Sequence, residues 1–376
     1  FTHPQHAQDL ADKLEIDPSG FYRLRHGDND VRFVPTAEVS NMFKQNGRGR
    51  RVHTLIIARS LESVREINRA LASRGNVASD GRPIFGFSVK HLCKLLREID
   101  PETLVIPAHI WTPWFSVLGE RSGFDSLAEC FEDELSFISG VETGLSSDPE
   151  MNWRLSQLDP FAIISNSDAH SPAKVGRECN AFRAPLTWES LRDILRNRDG
   201  ERFRFTVEFF PEEGKYHWPG HAACGVVLSP ERYRELQGRC PVCHKPVTGG
   251  VASRVEMLAD RPLGYRPPQA VPSIHLVPLD EVLGEALGKK PTTKPVQALW
   301  DRLVEQAESE MHVLLFAPEA ALRDLAGDRV AEAVMKMRRG EVSAIPGYDG
   351  VYGQIKIFGA PGSISQVTGV PQLPLL

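Results

Sequence analysis

Histidine and carboxylate residues recur where apolar runs end in the first 205 or so residues of this 376-residue chain. Ser167-Asp168-Ala169-His170 follows Ile163-Ile164, so a carboxylate and an imidazole emerge together at the end of a buried run. Val105-Ile106-Pro107-Ala108 delivers His109, Phe33-Val34-Pro35-Thr36-Ala37 delivers Glu38, and His53 lies inside the Arg51–Ile57 run. A lone histidine beside a strand is more often a core or surface residue than a ligand. Four segments of the same kind make coincidence a poor explanation. Mixed imidazole and carboxylate donors suit Zn, Mn or Fe, and paired ions can clamp the attacking and leaving oxygens of a phosphate displacement. Glu38, His109, Asp168 and His170 are therefore the expected catalytic centre, with His53 as a further ligand.

A second set has a different chemistry. His221-Ala222-Ala223-Cys224 and Cys240-Pro241-Val242-Cys243 each present two donors three positions apart, with 15 residues between the pairs. That is the spacing of a closed structural zinc site, in which four protein ligands leave no position for water. His217 or His244 could stand in for His221. Cys93, Cys130 and Cys179 are scattered through apolar or helical stretches and read as core residues. Clustered thiols in a chain this long favour metal over disulfides, hence a reducing, cytoplasmic setting.

Positioning such groups requires a particular framework. Arg51–Ile57, Thr103–Ile106, Val141 and Ala162–Ser165 read as strands. Helices are expected with Leu61, Val64, Ile67 and Leu71 on one face, from Ser88 with Val89, Leu92, Leu95 and Leu96 inward, and from Trp188 to Arg198. Gly75 falls where a helix cap belongs. Strands alternating with helices argue for a parallel α/β architecture, most plausibly a barrel, whose catalytic mouth is built from the carboxyl ends of the strands. Beyond Phe210 the character changes. Residues 211–260 are rich in Pro, Gly, His and Cys, Pro262, Pro267, Pro268 and Pro272 punctuate a linker, and 279–339 is helical by pattern with breaks at 288–291 and Gly327. The expected division is 1–208 for the α/β barrel, 209–262 for the zinc module, 263–359 for a mainly helical domain, and 360–376 for a disordered tail. Hydrophobic residues make up 41% and charged residues 25%, the balance of a globular chain, and no apolar run approaches a membrane span.

The order Glu38, His53, His109, Glu142, then Asp168-Ala169-His170 resembles the polymerase and histidinol phosphatase (PHP) superfamily of phosphoesterases. More narrowly, Phe1-Thr2-His3-Pro4, Ile106–Trp114, Glu142–Asp148, Asn166–Ser171 and Gly347–Gly353 resemble the endonuclease Q family. The resemblance implies a distorted (β/α)7 barrel with two or three divalent ions (Zn, Mn or Mg). It adds Glu142 to the ligand set of Glu38, His53, His109, Asp168 and His170. It also implies a metal-dependent endonuclease that cuts 5′ to uracil, hypoxanthine, xanthine or an abasic site in damaged DNA, located with the nucleoid. The family opens with a His-x-His strand and, just ahead of its Phe-Thr-His-Pro segment, an Asp; because the sequence starts at Phe1, the resemblance implies a fragment lacking the first strand and those ligands.

With a formal net charge of −5, DNA contact must come from local basic faces. Candidates are Arg48, Arg50 and Arg51, the Lys289-Lys290 pair with Lys294, and Arg338-Arg339. Trp111, Trp114 and Phe115 follow His109 and could stack on an extruded base or equally serve as barrel packing, the reading favoured for at least one of them. Trp111, Trp114, Arg50 and Arg51 are the expected DNA-binding residues. Two other classes fit part of the pattern: a small-molecule phosphatase, which would need neither zinc module nor helical domain, and a non-catalytic DNA-binding protein.

Overall fold

The computed structural model describes residues 2–26, 30–79 and 81–359, so the expected tail at 360–376 lies outside the described residues. The chain is mixed α/β. At the centre of its first half stand two ten-residue strands, Thr36–Gln45 and Arg48–Ile57, joined by Asn46-Gly47 with φ of 52° and 74°. Positive φ at both turn residues is the two-residue hairpin geometry that Asn-Gly favours, and so short a turn can only make the pair antiparallel. The sheet is accordingly mixed, not parallel as the alternation of strands and helices suggested. Leu104–Pro107 runs antiparallel to Arg48–Ile57, while Ile84–Phe85 lies parallel to Thr36–Gln45. Two further parallel pairs join Val141–Glu142 to Ile163–Ile164 and Phe203–Glu208 to Ser273–His275.

Helices cover the sheet where the apolar spacing placed them. Leu61–Ala72 is capped by the Ser60 hydroxyl, which accepts from Ser63 N, and buries Val64, Ile67 and Leu71. Val89–Ile99 is capped by Ser88 in the same way and buries Val89, Leu92, Cys93, Leu95 and Leu96. Both pack on Val39, Val52 and Ile56 of the hairpin. On the other side Ile57, Leu104, Ile106 and Ile164 meet Trp188 and Ile194 of the Trp188–Asn197 helix. Gly75 has a different reason from helix capping. The Leu61–Ala72 helix has Ser73 as its C-cap, and a Cβ on Gly75 would lie 2.8 Å from the Phe85 ring, so the residue is small to admit that ring.

The cysteine-bearing segment has a minimal core of Leu228, Cys240 and Val247. The helix that follows, Val251–Leu258, belongs to the first half instead. Val251 and Val255 enter the hairpin-side core, and the buried Arg254 donates to Leu118 O and Phe124 O. A separate core unites Val207, Ile274 and Leu276 with helices Leu279–Leu287, Lys294–Ala307, Glu310–Leu315, Glu319–Ala326 and Asp328–Arg338. The expected breaks hold: Gly288 caps the first of these helices at φ 62°, and Gly327 ends another at φ 88°. Among the described residues no helix is long and apolar enough to cross a membrane.

Candidate metal centre

The hairpin register brings the first ligands together. Glu38 pairs with Leu55 and Ser40 with His53, so Glu38 and His53 are diagonal neighbours on one face. His109 arrives from the adjacent strand. Ala108 N donates to His53 O at 3.1 Å, and the chain then turns sharply, with His109 at φ 32°. A non-glycine residue held at positive φ costs conformational energy that surrounding contacts must offset, a common trait of functional sites.

The three side chains converge on one carboxylate oxygen. Glu38 Oε1 lies 3.0 Å from His53 Nδ1 and 3.3 Å from His109 Nε2, and the two ring nitrogens are 3.2 Å apart. One donor atom from each residue falls within a common 4.8 Å sphere of separation, a fit for a mixed nitrogen–oxygen metal site. Burial opposes ionisation of Glu38, but the bonds to His109 and His53 and the Arg82 charge hold it well below the ordinary carboxylate range. The histidines part ways. Burial, with the positive neighbours His109 and Arg82, lowers His53. Burial also works against charged His109, but Glu38, Glu142 and Asp168 together outweigh it and raise the ring.

Glu142 stands behind His109 and holds its backbone. Its Oε2 accepts from His109 N at 2.8 Å and its Oε1 from Asn166 Nδ2 at 2.8 Å, and burial raises its carboxyl. Asp168, at φ 42°, joins the group through Arg82, whose guanidinium donates to Glu38 Oε2 at 2.7 Å and stands 3.8 Å from Asp168 Oδ1. His170 is exposed. Its Nδ1 is 2.8 Å from Asp168 O and 3.9 Å from Asp168 Oδ1, which places it beside Asp168, outside the Glu38–His53–His109 triangle. Glu38, Glu142, Asn166 and Asp168 line a cavity of about 400 Å³ together with Leu55, Ile57, Ile164 and Phe182. Arg82 was missed in the sequence because nothing near it carries a motif. Its position depends on the loop before Ile84–Phe85 folding over the hairpin.

The second set also assembles. His221, Cys224, Cys240 and Cys243 each offer a donor atom within 4.8 Å of the others, with Cys243 Sγ 3.6 Å from His221 Nδ1. Four ligands at about 2.3 Å from one ion in a tetrahedron would stand about 3.8 Å apart, so the donors fit zinc. Burial disfavours a Cys240 thiolate, yet the N–H groups of Cys243 and Val242 and the neighbouring thiols bring it down to about 7. His217 is buried elsewhere, and His244 is exposed at φ 59°, so neither joins the four.

A third group was not anticipated. His275 Nε2 is 3.1 Å from Asp148 Oδ2, and Ser273 Oγ donates to Glu150 at 2.8 Å. Burial works against the charged ring, but Asp148 and Glu150 push His275 up to about 9. This pair fastens the strand entering the helical domain to the loop after Glu142.

The expected DNA-binding residues divide. Arg50 is buried, donates to Gly123 O and to Glu129 Oε1, and lies 4.0 Å over the Phe124 ring, so its charge is spent inside the fold. Trp111 is buried as well, with Nε1 donating to Asn152 Oδ1 at 2.8 Å. Both side chains find their partners inside the fold, so packing, not DNA contact, is the role of Arg50 and of Trp111. Arg51 and Trp114 remain accessible.

A family described as the MJ0043 C-terminal domain matches residues 278–341. The uncharacterized protein YqxK of Bacillus subtilis is 32% identical over 310 residues, 81% of this chain and 74% of its own length. Uncharacterized protein MJ0043 of Methanocaldococcus jannaschii is 31% identical over 253 residues, 65% of this chain, and the match spans only 31% of that relative's length. Among solved structures, the lesion-specific endonuclease PfuEndoQ of Pyrococcus furiosus superposes with a TM-score of 0.82 at 29% identity, covering 94% of this chain and 84% of that one. Endonuclease Q in complex with a 27-mer duplex bearing an abasic lesion at its active site gives 0.80 at 28% identity, covering 94% and 86%.

Proposed function

From the premise that this chain belongs to the endonuclease Q-like family, we propose that it hydrolyses a DNA phosphodiester on the 5′ side of a damaged or missing base, using divalent ions held at Glu38, His53 and His109. The observation that carries the reading is the convergence of those three donors on one point beside an open cavity. The relatives with endonuclease activity support DNA as the substrate, and the PHP-type barrel is the architecture proposed with it.

Bound there, Zn, Mn or Mg would supply positive charge for the phosphate oxygens and lower the pKa of water. The chain's own residues set the stage for that chemistry. Glu38, kept ionised, and neutral His53 present lone pairs at the site. Glu142 fixes the His109 backbone, so the imidazole keeps its heading. Asp168 extends the donor set along the cavity wall, with His170 beside it, and Arg82 would be a counter-charge for the scissile phosphate once ions occupied Glu38. The Cys224–Cys240–Cys243–His221 site is proposed as structural zinc.

The test is a labelled duplex with one abasic site or deoxyuridine, incubated with protein expressed from its complete reading frame and resolved on a denaturing gel. The reading expects divalent-dependent nicking of the lesion strand alone. Equal cutting of an undamaged duplex would refute lesion specificity, and binding without cutting under Mg, Mn or Zn would favour a non-catalytic DNA-binding protein.

A further inference from the structure

Apart from the hairpin centre and the cysteine site, a third set of metal-type donors lies where the first half of the chain meets the helical domain. Asp148 and Glu150 belong to the stretch after Glu142, and His275 ends the strand Ser273–His275 that leads into the helices. One donor atom from each lies within 4.8 Å of the other two, the limit that Glu38, His53 and His109 also meet. His275 Nε2 stands 3.1 Å from Asp148 Oδ2, and the two side chains keep 18% and 14% of their exposure, so an ion has a way in. Each donor is also oriented by a partner of its own, as metal ligands commonly are. Asp148 Oδ1 accepts from Met151 N at 2.8 Å, and Ser273 Oγ lies 2.8 and 2.9 Å from the two Glu150 oxygens. The His275 ring packs on Phe210 with centroids 5.3 Å apart.

A fourth group points the same way. Glu208 pairs with His275 across the parallel strands, so the carboxylate and the ring rise from the same face of the sheet. Glu208 is fully buried. Its Oε2 accepts from Thr143 Oγ1 at 3.0 Å and Ser165 Oγ at 3.1 Å, whereas its Oε1 has no hydrogen-bond partner among the described residues. The Thr206 hydroxyl on that face also lacks one, so the two stand near each other without hydrogen-bonding geometry. A buried carboxylate oxygen left unpaired is costly unless something absent from the protein atoms completes it. The charges leave the same gap. One imidazolium balances one carboxylate, and Asp148, Glu150 and Glu208 are three. Burial and the Asp148 charge raise the Glu150 carboxyl, and burial raises that of Glu208, as expected where positive charge is short. An oxygen-rich set with one imidazole suits a first-row divalent cation such as Mn.

We propose that Asp148, Glu150 and His275, with Glu208 facing them from the neighbouring strand, hold a divalent cation of the Mn type that clamps the helical domain to the first half of the chain. The site shares no residue with Glu38, His53 and His109, and its cation takes no part in hydrolysis. Its ligands come from both sides of the junction: Asp148 and Glu150 from the stretch after Glu142, His275 from a strand whose Ile274 lies in the helical core. Binding here is independent of what the hairpin centre acts on.

Mn is the probe, titrated by calorimetry into protein expressed from its complete reading frame with zinc at the cysteine site. Glu38→Gln, which disables the hairpin centre, should bind one Mn per chain more than Glu38→Gln/Glu150→Gln. Adding Ser273→Ala to Glu38→Gln removes only the hydroxyl that orients Glu150, and Mn at this site should bind roughly 10- to 100-fold more weakly, the usual effect of losing such a partner. Saturating Mn should also raise the melting midpoint of the helical domain in Glu38→Gln and leave that of Glu38→Gln/Glu150→Gln unmoved. Zinc content shows whether each variant keeps its fold; if the Glu150→Gln protein loses zinc, Ser273→Ala decides. Equal Mn stoichiometry with and without Glu150→Gln, or Ser273→Ala binding Mn as tightly as its parent, would overturn the site and leave Asp148 and His275 as an ion pair alone.

Discussion

Zinc is proposed for the His221–Cys224–Cys240–Cys243 site, and its removal should unfold one segment and spare the rest. Between Gly220 and Thr248, whose backbones pair at 3.0 Å in both directions, the buried aliphatic side chains are Leu228 and Val247. Burying each contributes roughly 1.5–3 kcal/mol, so together about 6 kcal/mol at most. Structural zinc in small modules contributes about 10–16 kcal/mol at neutral pH, the larger share by a factor of two or so. Cys243→Ser, or chelation at pH 7, should therefore open residues 220–248 while the hairpin core and the helical domain keep their own transitions. The assay is trypsin cleavage after Arg232, Arg234 and Arg239, read beside zinc content by mass spectrometry. Even about 3 kcal/mol lost would raise the open population more than 100-fold, and cleavage should rise in proportion. Unchanged cleavage in a protein whose zinc has been lost would refute the claim that metal holds this segment. Retention of full zinc by Cys243→Ser would refute the ligand assignment.

Other outcomes follow from the buried charges. His275, raised to about 9, and Glu178 and Glu213, each pushed up to about 8 chiefly by burial, hold protons in the folded chain that the unfolded chain releases at lower pH. Stability of zinc-loaded protein should thus fall as pH rises from about 6 to 9, with His275 alone responsible for about 3 kcal/mol, and urea midpoints should show it; a midpoint that climbs over that range would contradict the assignment. His275→Gln should flatten part of the slope. Glu38→Gln should abolish divalent binding at the hairpin centre while leaving the cysteine-site zinc in place, which metal stoichiometry resolves. Occupancy of the hairpin centre should drop on acidification from a pH above the ordinary histidine value, because His109 is raised and must lose its proton to bind metal. Trp111→Phe should cost about 1 kcal/mol of stability through the lost Asn152 bond, without changing DNA affinity.

How far the sequence foretold this molecule depends on the range of the interaction involved. Helices at Leu61–Ala72, Val89–Ile99 and Trp188–Asn197 announce themselves because their apolar spacing and serine or threonine caps are local. The cysteine site was legible for the same reason, since two short turns each carry two donors. The convergence of Glu38, His53 and His109 was readable as a set of types at strand ends. Their actual meeting depends on a hairpin register that Asn46-Gly47 encodes and that the reading of alternating strands and helices passed over. Arg82 and His275 reach their partners from distant segments with no local pattern to mark them, and Asn166 and Asp148, though inside family-like stretches, carry no local sign of which partners they meet. Arg50 and Trp111 mislead for a related reason: a polar tip says little about depth when a backbone carbonyl or Asn152 waits inside to satisfy it.

The central claim is that Glu38, His53 and His109 hold the ions that cut DNA beside a lesion. It is tested most directly by assaying His109→Ala and the unaltered protein, both expressed from the complete reading frame, on a single-lesion duplex across a titration of Mn. The account predicts nicking of the lesion strand by the unaltered protein that rises with Mn. It predicts none by His109→Ala at any concentration, although that variant still binds the duplex and keeps its zinc. Metal-dependent nicking at full rate by His109→Ala would contradict it.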